Sequence, residues 1–328
     1  MRCLALAQSW KKQGGHVTFI SACEGEVLYN RIINEGFQLV SIEDSYPHPA
    51  DLIITKKTID NSSVKKSWIV LDGYHFDTHY QKSIKNDGNP VLIIDDTAHL
   101  NRYSVDIILN QNINAKELSY SCDPGTKFLM GTDYVLLRDE FLAYKDWKRG
   151  ISAVTKNILV TMGGGDQDNE TLKVLEALDQ IDIDGLKIKV VVGPNNPYIS
   201  ILEKAVIDSK HSIELLKNVS NMAALMAKAD LAVGAGGSTT WERCYLGLPA
   251  IVVCTAENQV NGTEILSKTG LVYYLGEQRN ILSEDYTRAI LHLIKDRSTY
   301  QKISQAGLDL VDSLGVERVV KAMERSFY

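Results

Sequence analysis

Several features that define whole classes of protein are missing from this sequence. Its five cysteines are an odd number and include no Cys-x-x-Cys pair, which argues against a disulfide framework and the common zinc motifs. No apolar run approaches the length of a membrane span, and the N-terminus has no signal-peptide pattern. There is no basic block, and 35 basic against 41 acidic residues give a net charge of -6. We therefore expect a cytoplasmic protein with no membrane span and no nucleic-acid partner.

Familiar catalytic motifs are missing as well. The sequence has no P-loop, no Gly-x-Ser-x-Gly elbow and no Asp-x-Asp metal motif in a plausible place. Asp95 and Asp96 are adjacent carboxylates, but no third ligand follows at a suitable spacing. We accordingly predict neither a metal site nor a cofactor.

What the sequence does contain is the alternation of an α/β protein. Buried-type strands such as "PVLIIDD", "VDIILNQN", "KNILVT" and "LPAIVVCTA" alternate with helical segments, as in parallel sheets covered by helices on both faces. The length of 328 residues suggests two domains. We predict two doubly wound Rossmann-like domains in a GT-B-like arrangement with a ligand cleft between them, at 1–150 and 151–328, joined by a linker near 145–155.

The first glycine-rich segment is "TMGGGDQDN", directly after a predicted strand. Gly163, Gly164 and Gly165 would let backbone amides approach a ligand closely. A purely structural alternative is a tight strand-to-helix turn in which Asp166 or Asp168 caps the helix.

The second segment, "VGAGGSTTWERCYLG", again follows a strand and opens a helix. Its glycines and hydroxyls (Gly236, Gly237, Ser238, Thr239) could donate hydrogen bonds to an anion. Glu242, one turn later, suits ribose hydroxyls better than phosphate; alternatively it only complements the helix N-terminus. Two such turns with a ribose-type carboxylate indicate a nucleotide-diphosphate ligand.

Further polar residues follow other strands at the edge where ligands of parallel sheets bind. "CTAENQ" supplies Glu257, Asn258 and Gln259, which suit sugar hydroxyls or amides, or alternatively cap the following helix. In the first half, two segments end in polar residues at the sheet edge: Asp72, Tyr74, His75, Asp95, Asp96 and His99. The histidines His75, His79 and His99 could act as bases or could be ordinary loop residues.

Taken in order, these segments resemble those of PseG-like UDP-sugar hydrolases. The resemblance rests on "LDGY", "IDDTAHLNRYSVDIILNQN", "GTDYVLLRDEF", "TMGGGDQDN" and "GAGGSTTWERCYLGLPAIVVCTAENQ", and covers nearly the whole chain. This family of pseudaminic acid biosynthesis is related to the spore-coat polysaccharide protein SpsG and is similar in fold to MurG-type glycosyltransferases. The resemblance implies hydrolysis of UDP-2,4-diacetamido-2,4,6-trideoxy-β-L-altropyranose to UDP and the free sugar.

The resemblance also implies roles for single residues. Glu242 would bind the uridine ribose, and Gly237, Ser238 and Thr239 would donate to the diphosphate. Asn258 would contact the sugar, and Tyr74 would be the active-site tyrosine; these two are the predicted catalytic residues of the chain. The other residues expected to bind substrate are Gly163, Gly164, Gly165, Gly236, Glu257 and Gln259.

The beginning of the chain, "MRCLALAQSWKKQGG", has the apolar stripe of a helix that stops at Gly14 and Gly15. In the family, a strand and a Gly-x-Gly-His loop precede x-x-Arg-Cys-Leu, which matches here at Arg2, Cys3 and Leu4. The catalytic histidine would then fall two residues before Met1. We expect this chain to lack the first strand, its loop and the general base, and therefore to bind UDP-sugar but hydrolyse it slowly.

Two other functions fit the same residues. One is a GT-B glycosyltransferase that moves the sugar from UDP to an acceptor. The other is a non-catalytic protein that binds a nucleotide sugar. The oligomeric state cannot be predicted from these patterns.

Overall fold

The computed structural model describes residues 1–22, 26–62, 67–152, 154–193 and 195–325. The chain forms two compact units, one of Met1–Asp139 with Leu314–Tyr328 and one of Glu140–Ser313. The predicted division at 150 and 151 differs from these units because the C-terminal helix packs in the first one. At Gly315 an added Cβ would lie 2.3 Å from the carbonyl oxygen of Val135, so the backbones touch there.

The strands that the structure describes in the first unit are all parallel. Strand β1 (Thr18–Ser21) pairs with β2 (Gln38–Ser41), and a separate sheet has the order β3-β4-β5-β6. The bounds of these four strands are Ile69–Asp72, Val91–Ile94, Ile107–Asn110 and Lys127–Met130. Every residue of β4 and β5 is buried, which explains the uninterrupted apolar runs from which both were predicted.

The helices of the first unit include one that the sequence pattern did not predict. They are α1 (Arg2–Lys12), α2 (Glu26–Asn34), α3 (Pro49–Asp60), α4 (Thr78–Lys85) and the C-terminal α13 (Gly315–Glu324), while the short α5 (Asp139–Leu142) lies at the division between units. The predicted helix at the start of the chain is confirmed as α1, which buries Leu4, Ala5, Leu6 and Ala7. Helix α3 was missed because the side chains it buries, Asp51 and Thr55, are polar.

The second unit is a six-stranded parallel sheet in the order β12-β11-β10-β7-β8-β9. In chain order the bounds of β7 to β12 are Asn157–Thr161, Lys187–Val192, Ser212–Lys217, Leu231–Ala235, Ala250–Cys254 and Tyr273–Glu277. The chain moves outward from β7 to β9, returns to β10 beside β7, and then moves outward in the opposite direction. This order is that of a doubly wound Rossmann sheet, whose ligands bind where the direction reverses.

Helices cover both faces of this second sheet. They are α6 (Glu170–Asp179), α7 (Ile199–Asp208), α8 (Met222–Lys228), α9 (Thr239–Tyr245), α10 (Glu257–Lys268), α11 (Ser283–Lys295) and α12 (Arg297–Leu310). Apolar side chains of β7, β8 and α6, together with Tyr286 and Ile290 of α11, form one continuous core. Within the described ranges, no helix has the length and apolar character needed to cross a membrane.

Candidate functional site

The two glycine-rich turns of the second unit begin side by side. Thr161, the last residue of β7, pairs with Gly234 near the end of β10, and each strand then leads into its turn. An added Cβ at Gly234 would lie 2.5 Å from the carbonyl oxygen of Thr161. The turns therefore flank the reversal point of the sheet, which is where a doubly wound fold binds its ligand.

The first turn contains three exposed glycines and one buried carboxylate. Gly163 has a φ of +88°, which favours glycine, and neither Gly163 nor Gly164 has a neighbour that would meet an added Cβ within 4 Å. Asp166 accepts hydrogen bonds from the backbone N–H groups of Glu170 at 2.8 Å and Thr171 at 3.1 Å. The Asp166 carboxylate thus caps the first N–H groups of α6, whose N-cap residue is Asn169. This agrees with the structural alternative for Asp166, while the glycines stay exposed.

The loop after the neighbouring strand β8 lies against this first turn. An added Cβ at Gly193 would lie 2.0 Å from the carbonyl oxygen of Gly164. Asp168, the other predicted cap, accepts a hydrogen bond from Gln278 instead. The position of the first turn is therefore fixed by backbone contact on one side and a side-chain hydrogen bond on the other.

The second turn lies against the start of helix α10. An added Cβ at Gly236 would lie 2.5 Å from Thr263 Oγ1, and one at Gly237 would lie 4.0 Å from Gln259 Nε2. The Gln259 side-chain oxygen accepts a hydrogen bond from the N–H of Thr255 at 3.1 Å. Gln259 therefore borders the second turn through its side-chain amide.

The remaining residues predicted in this unit differ in exposure. Ser238, Glu257 and Asn258 are exposed, whereas Thr239 and Glu242 are half-buried. Glu242 lies in the first turn of α9. The structure thus brings the two glycine turns and Gln259 to one edge of the sheet, with Glu242 one helical turn behind the second glycine turn.

A second polar cluster lies at the corresponding sheet edge of the first unit, and its central cation is Arg2. The guanidinium donates from Nη2 to Asp72 Oδ1 and from Nη1 to Asp96 Oδ1, both at 2.7 Å. Burial disfavours the charge, but the two carboxylates outweigh it and raise the pKa of Arg2 above its ordinary value. Arg2 therefore remains charged and holds the ends of β3 and β4 together.

Tyr74 belongs to this cluster through Asp96. Its hydroxyl donates to Asp96 Oδ2 at 3.1 Å, and Asn112 Nδ2 donates to Asp96 Oδ1 at 2.9 Å. Nearly half of Tyr74 is exposed, at 48%. The predicted active-site tyrosine is thus oriented by a carboxylate while much of its surface faces solvent.

His99 is held between two acceptors. Its Nδ1 lies 3.1 Å from Asp95 Oδ2, and its Nε2 lies 3.0 Å from the carbonyl oxygen of Tyr74. Asp95 is buried and also accepts from Tyr103, Tyr120 and the N–H groups of Thr97 and Ala98. With both ring nitrogens engaged, His99 is placed to position the Tyr74 turn rather than to accept a proton from water. His75 lies apart from these contacts, with its ring 4.1 Å from that of Phe76.

Sequence patterns alone gave no role to the arginine of this cluster. Arg2 appeared only as part of a family motif, and its partners lie 70 and 94 residues away. Among the described residues, no group of three or more His, Cys, Asp or Glu side chains could hold a metal ion.

The comparisons with known proteins agree with this geometry. Residues 157–318 match the glycosyltransferase family 28 C-terminal domain. The match begins at the first residue of β7 and spans the whole six-stranded sheet. The predicted relation to glycosyltransferase-like proteins is therefore supported for the second unit.

Two curated proteins resemble a larger part of the chain. An uncharacterized protein of Methanocaldococcus jannaschii, MJ1062, is 29% identical over 266 residues, which are 79% of this chain and 53% of that protein. The chain thus spans about half the length of this relative. The spore coat polysaccharide biosynthesis protein SpsG of Bacillus subtilis is 26% identical over 235 residues, 66% of this chain and 69% of SpsG. This second match supports the predicted relation to SpsG.

Solved structures show the same fold over nearly all of the chain. A structure of MnaA from S. aureus with UDP has a TM-score of 0.72 and covers 99% of this chain and 93% of its own, with 13% identity. At that identity the likeness concerns the fold alone. The predicted GT-B-like α/β class is confirmed.

Proposed function

We propose that the second unit binds the UDP part of a UDP-sugar. The observation that carries this proposal is the pair of glycine turns that follow β7 and β10 at the reversal point of the sheet. Backbone N–H groups in such turns can approach a diphosphate closely. The solved structure of MnaA, which has the same fold, contains UDP, and this supports the choice of nucleotide.

Roles for individual residues follow from this placement. Gly163 to Gly165 and Gly236 to Thr239 would donate to the diphosphate, and Glu242 would accept from the ribose hydroxyls. Glu257, Asn258 and Gln259 would bind the sugar, because amide and carboxylate groups pair well with hydroxyls. Tyr74 is proposed as the active-site tyrosine on the strength of the resemblance to PseG-like proteins.

The proposed reaction is hydrolysis at the anomeric carbon of UDP-2,4-diacetamido-2,4,6-trideoxy-β-L-altropyranose. The oxygen of water forms a bond to that carbon, the bond from the carbon to the diphosphate oxygen breaks, and UDP leaves with the electron pair. The proton lost by water passes to bulk solvent. Amides that hold the diphosphate would stabilise the charge that develops on UDP. The PseG-like segments and the relation to SpsG support this reaction in surface polysaccharide biosynthesis.

A second candidate is transfer of the sugar from UDP to an acceptor. The match of residues 157–318 to the glycosyltransferase family 28 C-terminal domain favours it. Both candidates use the same UDP site and break the same bond, so they differ only in the nucleophile.

One experiment separates these candidates. The protein is incubated with the UDP-linked diacetamido sugar, with and without candidate acceptors, and UDP is measured over time. Release of UDP and free sugar without an acceptor supports the hydrolase, whereas release only with an acceptor overturns it in favour of a transferase. Binding without release under both conditions identifies a non-catalytic nucleotide-sugar-binding protein.

A matched pair of variants tests the sugar site. Asn258→Ala should lower UDP release, whereas Asn261→Ala, an exposed asparagine one turn later in α10, should leave it unchanged. Equal effects of the two substitutions would remove Asn258 from the sugar site.

A further inference from the structure

A buried arginine lies beneath the two glycine turns of the second unit. Arg243 is only 1% exposed. Its Nη2 donates to the carbonyl oxygen of Ala235 at 2.8 Å and to Thr240 Oγ1 at 2.9 Å. Its Nε and Nη1 are buried and have no hydrogen-bond partner among the described residues. Two of the three guanidinium nitrogens are therefore buried without a hydrogen-bond partner among the described residues.

This arginine remains charged at neutral pH although its surroundings oppose the charge. Burial lowers the pKa of Arg243 to about 10, and neighbouring Cys244 and Glu242 only partly counteract this. Both hydrogen bonds of its Nη2 lead to neutral oxygens, those of Ala235 and Thr240. A buried cation whose hydrogen bonds reach only neutral groups costs folding free energy. An electrostatic interaction with a bound anion would explain why the arginine is present.

The position of the guanidinium indicates where such an anion would bind. An added Cβ at Gly234 would lie 2.7 Å from Arg243 Nη1 and 2.5 Å from the carbonyl oxygen of Thr161. Thr161 and Gly234 form the paired position where β7 and β10 end. The two glycine turns begin directly after these residues, so a single positive charge lies under both of them.

We infer that Arg243 is the positioning residue that makes the two turns attract a diphosphate, acting through its charge without touching the ligand. This inference rests on the proposed function and deepens it. The guanidinium fixes the end of β10 through the Ala235 carbonyl, and its field favours negative charge over both turns. An electrostatic contribution of this kind falls on the diphosphate and not on the uncharged nucleoside.

A purely structural role would have a different signature. If Arg243 only tied Ala235 to Thr240, a neutral donor of similar size would suffice, and loss of the Thr240 hydroxyl would be equally harmful. If the charge matters, then Lys at this position retains the affinity for UDP and Gln does not. Comparing the affinities for UDP and for uncharged uridine separates these two roles, because only UDP responds to the charge.

The test measures UDP and uridine affinity by calorimetry in wild type, Arg243→Gln, Arg243→Lys and Thr240→Val. We expect Arg243→Gln to weaken UDP binding about tenfold or more while uridine binding changes less than about threefold. Arg243→Lys and Thr240→Val should stay within about threefold of wild type for both ligands. Equal weakening of UDP and uridine in Arg243→Gln and Thr240→Val would overturn the inference.

Wild-type protein provides a second measurement in case Arg243→Gln fails to fold. The ratio of UDP to uridine affinity is followed from pH 8 to pH 11. Both ligands carry the same base, so titration of the base cancels in the ratio. The ratio should fall as the pH rises above about 10, the value to which burial lowers the pKa of Arg243, and a constant ratio would contradict the inference.

Pyrophosphate separates failure of this inference from failure of the proposed function. If wild type binds pyrophosphate but not UDP, the proposed function fails, and the inference stands only if Arg243→Gln loses pyrophosphate. If wild type binds neither, both fail. If UDP binds and Arg243→Gln retains the wild-type preference for UDP over uridine, only the inference fails.

Discussion

The guanidinium of Arg2 lies 2.7 Å from the carboxylate of Asp72, although 70 residues separate the two in the chain. The same guanidinium donates to both oxygens of Asp96, at 2.7 and 2.8 Å. One side chain of α1 thus neutralises carboxylates at the ends of two neighbouring strands. Without it, two negative charges would lie together in a half-buried place.

Substitution Arg2→Gln should destabilise the protein. We expect the free energy of unfolding to fall by about 1–3 kcal/mol, less than for a fully buried pair because these groups keep some exposure. Urea denaturation at pH 7 measures the change. Lys189→Gln serves as the control, because it breaks the exposed pair with Glu214 at 2.7 Å and should cost about 0.2–1 kcal/mol. A loss at Arg2 no larger than at Lys189 would contradict the role assigned to the bridge.

A methyl group at Gly234 should be poorly tolerated. The added Cβ would lie 2.5 Å from the carbonyl oxygen of Thr161 and 2.7 Å from Arg243 Nη1. We expect Gly234→Ala to lower the free energy of unfolding by about 1–3 kcal/mol. Gly262→Ala is the matched control in α10, where nothing lies within 4 Å of the added atom, and it should stabilise by about 0.5–1 kcal/mol. Thermal unfolding measures both changes. If the midpoint temperature shifts in the same direction in both variants, close packing at Gly234 does not decide the outcome.

Glu242→Ala should weaken the binding of UDP more than that of pyrophosphate. The proposed contact is with the ribose, which pyrophosphate lacks, so the difference should be about 1–3 kcal/mol for the loss of a charged hydrogen bond. Calorimetry with both ligands measures it, and Glu176→Ala, at an exposed position of α6, provides the control. If both ligands weaken equally, Glu242 does not bind the ribose.

The pH dependence of stability should carry the signature of a buried thiol. Burial raises the pKa of Cys244 to about 12, against about 8.5 in an unfolded chain. Above pH 8.5 the unfolded chain loses this proton first, so stability is full below that pH and falls as pH rises, by up to about 1.4 kcal/mol per unit. In Cys244→Ala this part of the slope should vanish. Denaturation between pH 8 and pH 10 tests this, with Cys122→Ala as the control at a half-buried cysteine; an unchanged slope in Cys244→Ala would refute it.

Tyr74→Phe should affect the reaction without affecting nucleotide binding. It removes the hydroxyl that donates to Asp96 but keeps the ring. We expect UDP release at saturating substrate to fall about tenfold or more, while UDP affinity stays within about twofold. Tyr29→Phe, at an exposed tyrosine of α2, should change neither quantity. A loss of UDP affinity equal to the loss in rate would assign Tyr74 to binding instead.

Elements with strong periodic patterns were predictable from the sequence. Strands β4, β5, β7, β10 and β11 are buried on both faces and therefore appear as continuous apolar runs. Strand β6 was missed because it lies at a sheet edge and exposes Lys127 and Phe128. Strong signals thus came from strands that solvent does not reach.

The candidate site was predictable only in part, for a similar reason. Turns with two or three consecutive glycines are visible in a sequence because no other residue supplies the same backbone freedom. The charge contacts that support the sites are not visible, because they join distant segments. Nothing in the segment "TTWERCY" shows that Arg243 is buried while Glu242 is half-exposed, since that difference depends on how α9 packs.

The packing of the glycines determines which positions of the two turns could be substituted as substrate preference changes among proteins with this fold. At Gly193, Gly234 and Gly236, any side chain would collide with atoms less than 3 Å away. Gly164 has open space around it, and Gly165 has only the Gln167 side chain nearby, at 3.8 Å. Substitution is therefore sterically excluded at the three packed glycines, whereas Gly164 and Gly165, at the tip of the first turn, have room for a side chain. New ligand preferences would arise by substitution at that tip, while the two turns keep their spacing.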